Sequence, residues 1–318
     1  MSDRRTLVAF LMGVLLAGIN PVAVRLSNME LAPFWGAGVR FLIAGAVFWL
    51  IVLLQRRPVP RGRELLGPVA YGFLAFGVFF TLVYWGLQQA HASTGAVALG
   101  LVPLLTLLLA VAQRQEPFRA RGLAGAAVSV VGIAIVFGDQ LGGAVSLASL
   151  LALVGAAAAA AEAGIVVRWF PRSDPFVTNA IGMSVGVAVL LALSAASGEA
   201  WTTPTQAETW LAGIYMVTFG SVGVFWLSLR VLREWPASRA SYQFLLMPLV
   251  TIVVASTLVG ETPSVIFLLG GAVALMGVYI GAFWGRRHVT APSPPVTGAP
   301  ATKGAAYAVA QEQPLPNC

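Results

Sequence analysis

The sequence predicts an all-α integral membrane protein: ten transmembrane helices arranged as two inverted-topology five-helix repeats. Three observations carry this. Of the 318 residues, 58% are hydrophobic and 10% charged, with mean hydropathy +0.85; an ordinary soluble domain has about 25% charged residues. The apolar residues fall into successive stretches near 20 residues, the length a helix rising 1.5 Å per residue needs to cross roughly 30 Å of hydrocarbon. The chain also resembles itself at a constant offset of 145 residues.

In chain order the spans are Thr6 to Leu26, Pro33 to Leu54, Leu65 to Gln88, Thr94 to Ala112 and Phe118 to Phe137. After them come Leu147 to Val167, Pro175 to Ala195, Trp210 to Leu229, Ala237 to Val259 and Pro263 to Trp284. Residues 1–138 hold the first five helices and 147–284 the second five. Lipid offers no partner to a backbone N–H or C=O, so each stretch must bond within itself, and stretches of this length do so as helices rather than barrel strands.

The connections justify the count. Counting alternate ones, the N-terminus carries Arg4 and Arg5, the second loop Arg56, Arg57, Arg61 and Arg63, and the fourth Arg114, Arg119 and Arg121. The sixth carries Arg168 and Arg172, the eighth Arg230, Arg233 and Arg239, and the tail Arg286, Arg287 and Lys303. Only Arg25, near an outer end, and Arg40, within a span, fall outside the set. A missed or invented span would scramble this alternation from that point on. The intervening connections carry Glu30, Asp139, Glu199, Glu208 and Glu261 instead. Positive residues mark the cytoplasmic side, so both termini are predicted cytoplasmic in a multi-pass inner-membrane protein.

Net charge +7 and pI ≈ 10.3 would point to nucleic acid in a soluble protein, but here the membrane accounts for the basic residues and no nucleic-acid partner is expected. The N-terminal segment contains Asn20-Pro21 and no small-residue cleavage site follows it, which argues against a secretory signal. The single cysteine, Cys318, offers no disulfide and no thiol pair. Two histidines, His91 and His288, cannot assemble a metal cluster. No cofactor is implied. Residues 285–318, rich in Pro, Ala, Thr and Ser, cannot bury a core and are expected to be a disordered cytoplasmic tail.

The repeat pairs Ala92 to Ile135 with Ala237 to Ile280 without a gap. Its informative matches are Ser93 with Ser238, Pro103 with Pro248, Thr106 with Thr251, and Glu116 with Glu261. Five helices separate the copies, and an odd number makes the second copy enter the membrane from the opposite side. Halves so related can exchange conformations, converting an inward-open state into an outward-open one. Duplication as a static scaffold is the alternative.

Asn20-Pro21 in the first helix, Arg40-Phe41 in the second, and a Pro then Glu followed by a Gly-rich helix, twice, form an ordered set. The two copies are Pro103, Glu116, Gly125 and Gly132, then Pro248, Glu261, Gly270 and Gly277. In these the chain resembles the drug/metabolite transporter superfamily, specifically its EamA-type members, over about Thr6 to Trp284. The resemblance implies a basket of helices one to four and six to nine around a central cavity, with helices five and ten to the side, and transport without ATP. No Walker sequence is present. In layout the chain is most similar to bacterial exporters of amino acids and related metabolites, including YddG-like exporters of aromatic amino acids. Nucleotide-sugar or sugar-phosphate carriers are the alternative within the superfamily. They want clustered Lys or Arg facing the cavity, whereas Arg40 is the lone strongly embedded cation here.

Polar side chains are costly in hydrocarbon and usually face a bundle interior or a wet cavity. Glu162, after the small-residue run Ala156 to Ala161, is the one carboxylate well inside a span. It either titrates, coupling substrate to protons, or makes a static hydrogen bond or an ion pair with Arg40. Asn20 sits at the matching place in the first helix, where Pro21 removes a donor and frees carbonyls, a feature of transporter sites and equally of packing kinks. Tyr84, Trp85, Gln88 and His91 cluster at the outer end of the third helix, and Trp226, Tyr242 and Gln243 lie in the eighth and ninth. They either stack on a ring substrate or form interfacial belts. Glu116 and Glu261 sit at helix starts, where a carboxylate caps backbone donors and suits the dipole. Gly277 and Gly281, with Gly122, Gly125 and Gly132, are packing seams that also admit a homodimer through helices five and ten.

A membrane enzyme acting on lipid would need a nucleophile with its base, or a metal site, near the boundary. Neither is visible. A sensor would need a soluble signalling domain. The expected function is therefore alternating-access export of amino acids or similar metabolites, with the lipid bilayer and a small molecule as partners.

Overall fold

Every element that the structure shows is helical, as a chain solvated by lipid requires. The computed structural model describes residues 2–115, 120–141, 145–166, 169–171, 173–234 and 243–283. Tyr242, Glu116, Arg119, Arg168, Arg172 and Arg239 lie outside these. So does everything from Trp284 on, including His288, Lys303 and Cys318.

The helices are α1 (Ser2–Asn28), α2 (Pro33–Leu54), α3 (Gly62–Gly86), α4 (Ala92–Ala112), α5 (Ala120–Leu141), α6 (Leu147–Val166) and α7 (Pro175–Ala196). Then come α8 (Ala207–Val217, Thr218–Gly223 and Val224–Glu234), α9 (Gln243–Leu258) and α10 (Val265–Val278, running on through Tyr279–Phe283). Among the described residues, eight helices are long and apolar enough to cross a membrane, and two shorter apolar helices, Leu246–Leu258 and Val265–Gly281, follow. Span boundaries move by a few residues from the sequence expectation. Hydropathy senses where apolar side chains stop, whereas backbone bonding continues to the first cap. Thus α1 extends past Leu26 to Asn28, and α3 ends at Gly86, two residues short of Gln88.

Two helices carry a wide π-helical turn. It covers Phe73–Val78 in α3 and Thr218–Gly223 in α8, six residues each and 145 residues apart. A π turn shifts the bonding from i−4 to i−5, so a backbone carbonyl loses its usual partner, and such turns recur at functional places. α4 is broken at Gly100–Leu101, just before Pro103.

Residues 1–284 form one unit in which α2 packs on α7, α5 on α10, α1 on α8 and α9, and α6 on α3 and α4. The α5–α10 seam is the tightest. A Cβ on Gly125 would stand 2.4 Å from Gly281 Cα, and one on Gly132 would stand 2.2 Å from the Ala274 nitrogen. The backbones touch because nothing larger than hydrogen lies between them, the small-residue packing that membranes favour. Residues such as Leu42, Leu53, Val130, Leu211 and Val253 are exposed, an arrangement that suits acyl chains rather than water.

Candidate functional site

The polar centre of the molecule is built around Arg40 of α2, which is 4% exposed. Its Nε donates to Ser221 Oγ at 3.1 Å and its Nη2 to the Gly220 carbonyl at 3.3 Å. Longer bonds run from Nη1 to Tyr84 Oη, 3.4 Å, and from Nη2 to Asn20 Oδ1, 3.5 Å. The guanidinium also lies over the Phe41 and Phe80 rings, 5.0 and 5.2 Å from their centroids. Among the described residues no carboxylate stands within 4.0 Å of it; the ion pairs there are Arg25–Glu261 and Arg57–Asp174. A buried cation is held here by neutral oxygens and ring faces alone.

Local sequence explains how these groups meet. Gly220 and Ser221 lie in the π turn of α8, and the Gly220 carbonyl accepts hydrogen bonds from both Arg40 Nη2 and Asn20 Nδ2, the latter at 3.2 Å. In α1, Pro21 leaves the Ala17 carbonyl without its usual N–H partner. The carbonyls on either side accept side-chain bonds: Leu16 from Tyr215 Oη and Gly18 from Thr251 Oγ1, both 2.6 Å. Tyr84, fully buried, donates to Met216 Sδ at 3.3 Å while accepting from Arg40. Helices α1, α2 and α3 thus converge on one turn of α8. Phe41, Phe76, Phe80 and Tyr84 form a continuous aromatic wall beside it.

The structure therefore brings Asn20, Arg40 and Tyr84 together and leaves the other candidates apart. Glu162, half-buried, accepts from Gln113 Nε2 at 2.9 and 2.7 Å through its two oxygens. Its partner is Gln113 at the end of α4; the sequence alternative of an ion pair with Arg40 is not formed, because Arg40 is occupied by α8. Gln88 is exposed, and Trp85 is 39% exposed. His91 is the N-cap residue of α4 but makes no side-chain cap bond. Gln243 Oε1 lies 3.7 Å from where a Cβ on Gly13 would stand. Trp226 is 52% exposed, under the Arg230 guanidinium. Sequence reasoning missed Gly220, Ser221, Met216 and Gln113. The available signal was a Gly-Ser pair, Gly220-Ser221, inside an apolar span.

The connections expected to face outward are tied across the chain by carboxylates. Glu30, between α1 and α2, accepts from Thr205 N and Oγ1 and from Gln206 N, at the start of α8. The Thr205 hydroxyl, foremost, pulls its pKa down to about 2. Glu199, between α7 and α8, accepts from Phe34 N and Trp35 N in the first turn of α2. Glu261 accepts from Ala92 N, Ser93 N and Ser93 Oγ at the start of α4. A carboxylate at a helix start was expected of Glu261, but the helix it caps is α4 and not its own neighbour α10, which Ser264 caps. On the opposite side Asp174 caps α7 and pairs with Arg57.

The EamA-like transporter family matches residues 4–138 and again 147–282. The chain belongs to this family. It is an EamA-type member of the drug/metabolite transporter superfamily, and the family points to a transporter rather than an enzyme. The EamA-type chain is 25% identical over 303 residues to a probable amino-acid metabolite efflux pump of Salmonella typhimurium, covering 92% of this chain and 99% of that one. It is 28% identical over 277 residues to an uncharacterized inner membrane transporter, YedA, of Escherichia coli K12, covering 83% and 86%. A solved crystal structure superposes on 87% of this EamA-type chain and 96% of its own length, with TM-score 0.61 at 19% identity. That likeness concerns the fold.

Proposed function

We propose that this chain is a secondary transporter that exports amino acids, aromatic ones among them, or related small metabolites across the inner membrane by alternating access. The observation that carries the reading is the Arg40 cluster: a buried guanidinium with no acidic partner among the described residues, held where helices of both family repeats meet. A zwitterionic or carboxylate solute supplies the charge that Arg40 lacks, and the wall of Phe41, Phe76, Phe80 and Tyr84 suits a ring. The Salmonella relative's name supports the amino-acid class. The longer bonds, to Tyr84 and Asn20, are the ones a ligand displaces.

The proposed architecture is ten spans in two inverted five-helix units, residues 1–138 and 147–284, with both termini cytoplasmic. The π turns 145 residues apart and the antiparallel α5–α10 seam support it. The three cross-chain carboxylate caps then close the outer face. Asn20, Arg40 and Tyr84 line the path at its centre, with Gln88, His91, Tyr242 and Gln243 as further lining candidates, and Glu162 is the proton-coupling group. A homodimer through α5 and α10 would use their lipid-facing residues, since their glycines already face each other.

The test is counterflow of a panel of labelled amino acids in liposomes holding the full chain, with and without Glu162→Gln. Protein-dependent exchange of at least one amino acid, with a pH response lost in the variant, is expected. If nothing on the panel exchanges, the amino-acid reading fails; if the pH response survives in Glu162→Gln, the coupling role fails alone.

A further inference from the structure

We infer that the groove between the first turns of α1 and the last turns of α8 is a binding site for an anionic phospholipid. Its phosphate sits among Arg4, Arg5 and Arg230, and one acyl chain lies along Val8, Met12 and Leu227. The groove has a volume of about 380 Å³, and Ala9 and Trp226 complete its lining.

Three features select this occupant. Three arginines, Arg4, Arg5 and Arg230, are among the groove's lining residues, and no carboxylate is among them. Beyond them the wall turns apolar and stays exposed: Val8 is 55% exposed, Met12 46% and Trp226 52%. From Arg4 to Met12 the helix rises about 12 Å, most of the roughly 15 Å hydrocarbon depth of one leaflet. A cationic end continued by an apolar trough of that length matches a phosphate followed by an acyl chain, whereas a soluble anion would leave the trough unused. Basic pockets between spans on the cytoplasmic side take lipid head groups in this way, and Trp at the boundary is at home beside them. The site is separate from the Arg40 cluster. It rests on the first turn of α1 lying at a membrane surface and not on which solute is carried.

Its occupancy has a consequence for the centre. The lipid ties α1 to α8, the two helices that supply Asn20 and the Gly220-Ser221 turn to Arg40. Anionic lipid is thus expected to stabilise the fold as well as bind to it.

The experiment titrates the purified full chain in neutral detergent with phosphatidylglycerol or phosphatidylcholine carrying brominated acyl chains, and with glycerol phosphate as the soluble head group. Quenching of Trp226 is isolated by difference from Trp226→Phe. Brominated phosphatidylglycerol is expected to reach half-quenching at about tenfold lower concentration than the zwitterionic lipid, given favourable contributions from several arginines. Arg4→Gln with Arg5→Gln and Arg230→Gln abolishes that preference. Arg230→Gln alone, which leaves the N-terminal topology signal intact, weakens it about twofold, its share among three arginines. Equal quenching by the two lipids overturns the inference. So does a preference unchanged in the variants, or glycerol phosphate competing as strongly as the whole lipid.

Discussion

Ser129 and Ala274 touch across the α5–α10 seam, the Ser129 hydroxyl donating to the Ala274 carbonyl at 3.0 Å, and they stand 145 residues apart. That separation is also the offset of the sequence repeat. Around this pair, Gly125 lies against Gly277 and Gly281, while Gly132 lies against Gly270 and Ala274. Each step forward on α5 meets a step backward on α10. Repeats related by a two-fold axis in the membrane plane bring a residue onto its own counterpart only at the axis, and the proposed inverted repeat places Ser129 and Ala274 there.

Stability is expected to be sensitive at that seam. Gly132→Ala puts a methyl group 2.2 Å from the Ala274 nitrogen, so the helices must separate, at a cost of about 1–3 kcal/mol. Ser129→Ala removes one hydrogen bond, worth about 1 kcal/mol. Equilibrium unfolding in mixed micelles, followed by tryptophan fluorescence, should rank Gly132→Ala below Ser129→Ala below the native chain. A Gly132→Ala protein as stable as the native one would mean the backbones do not meet so closely.

Arg40 is expected to be irreplaceable even by lysine. A planar guanidinium reaches Ser221, Gly220, Tyr84 and Asn20 at once; a single ammonium on a flexible stem cannot. Arg40→Lys should lower counterflow by more than about tenfold and cost about 1–3 kcal/mol, as buried oxygens lose donors. Ser221→Ala should give a smaller loss of both. Native counterflow by Arg40→Lys would show that charge alone suffices and that the fork geometry is irrelevant.

The sequence made the helices legible because lipid imposes one rule, an apolar length, on every span. Asn20 and Arg40 stood out as candidates because a polar group within such a length is anomalous, and Tyr84 as one of an aromatic and polar cluster at the outer end of α3. Their partners did not. Which carbonyl of α8 is open depends on the π turn at Thr218–Gly223, a matter of helical register that composition does not encode. Tyr84 and Gln88, one turn apart in sequence, part company because α3 ends at Gly86. Glu30, Glu199 and Glu261 each cap a helix more than 160 residues away, whereas cap signals in sequence are read within a few residues of the helix they serve.

Glu261 is expected to be the most costly of those caps to remove. It is 8% exposed and satisfies Ala92 N, Ser93 N and Ser93 Oγ, with Arg25 Nε 3.7 Å away. Glu261→Ala should cost about 2 kcal/mol, the upper end for a lost helix cap. Glu261→Gln should cost less, since one oxygen still accepts. Arg25→Met should be milder than Glu261→Ala in the same unfolding assay. The reverse order would make the ion pair, rather than the cap, the main role.

The Glu30 latch is expected to ignore ordinary acidification. Its pKa falls from 4.5 to about 2, chiefly through the Thr205 hydroxyl. A carboxyl depressed on folding contributes fully above its unfolded value and loses that contribution as pH falls through its folded one. The latch is therefore intact from pH 8 down to 4.5 and weakens between 4.5 and about 2. Spin labels at Met29 and Thr203, on a Cys318→Ser background, should keep their distance between pH 7 and 5 and separate only well below 4.5. Separation already between pH 6 and 5 would show an ordinary or raised carboxyl at Glu30, and the hydrogen bonds from Thr205 and Gln206 would then not be what holds the two loops together.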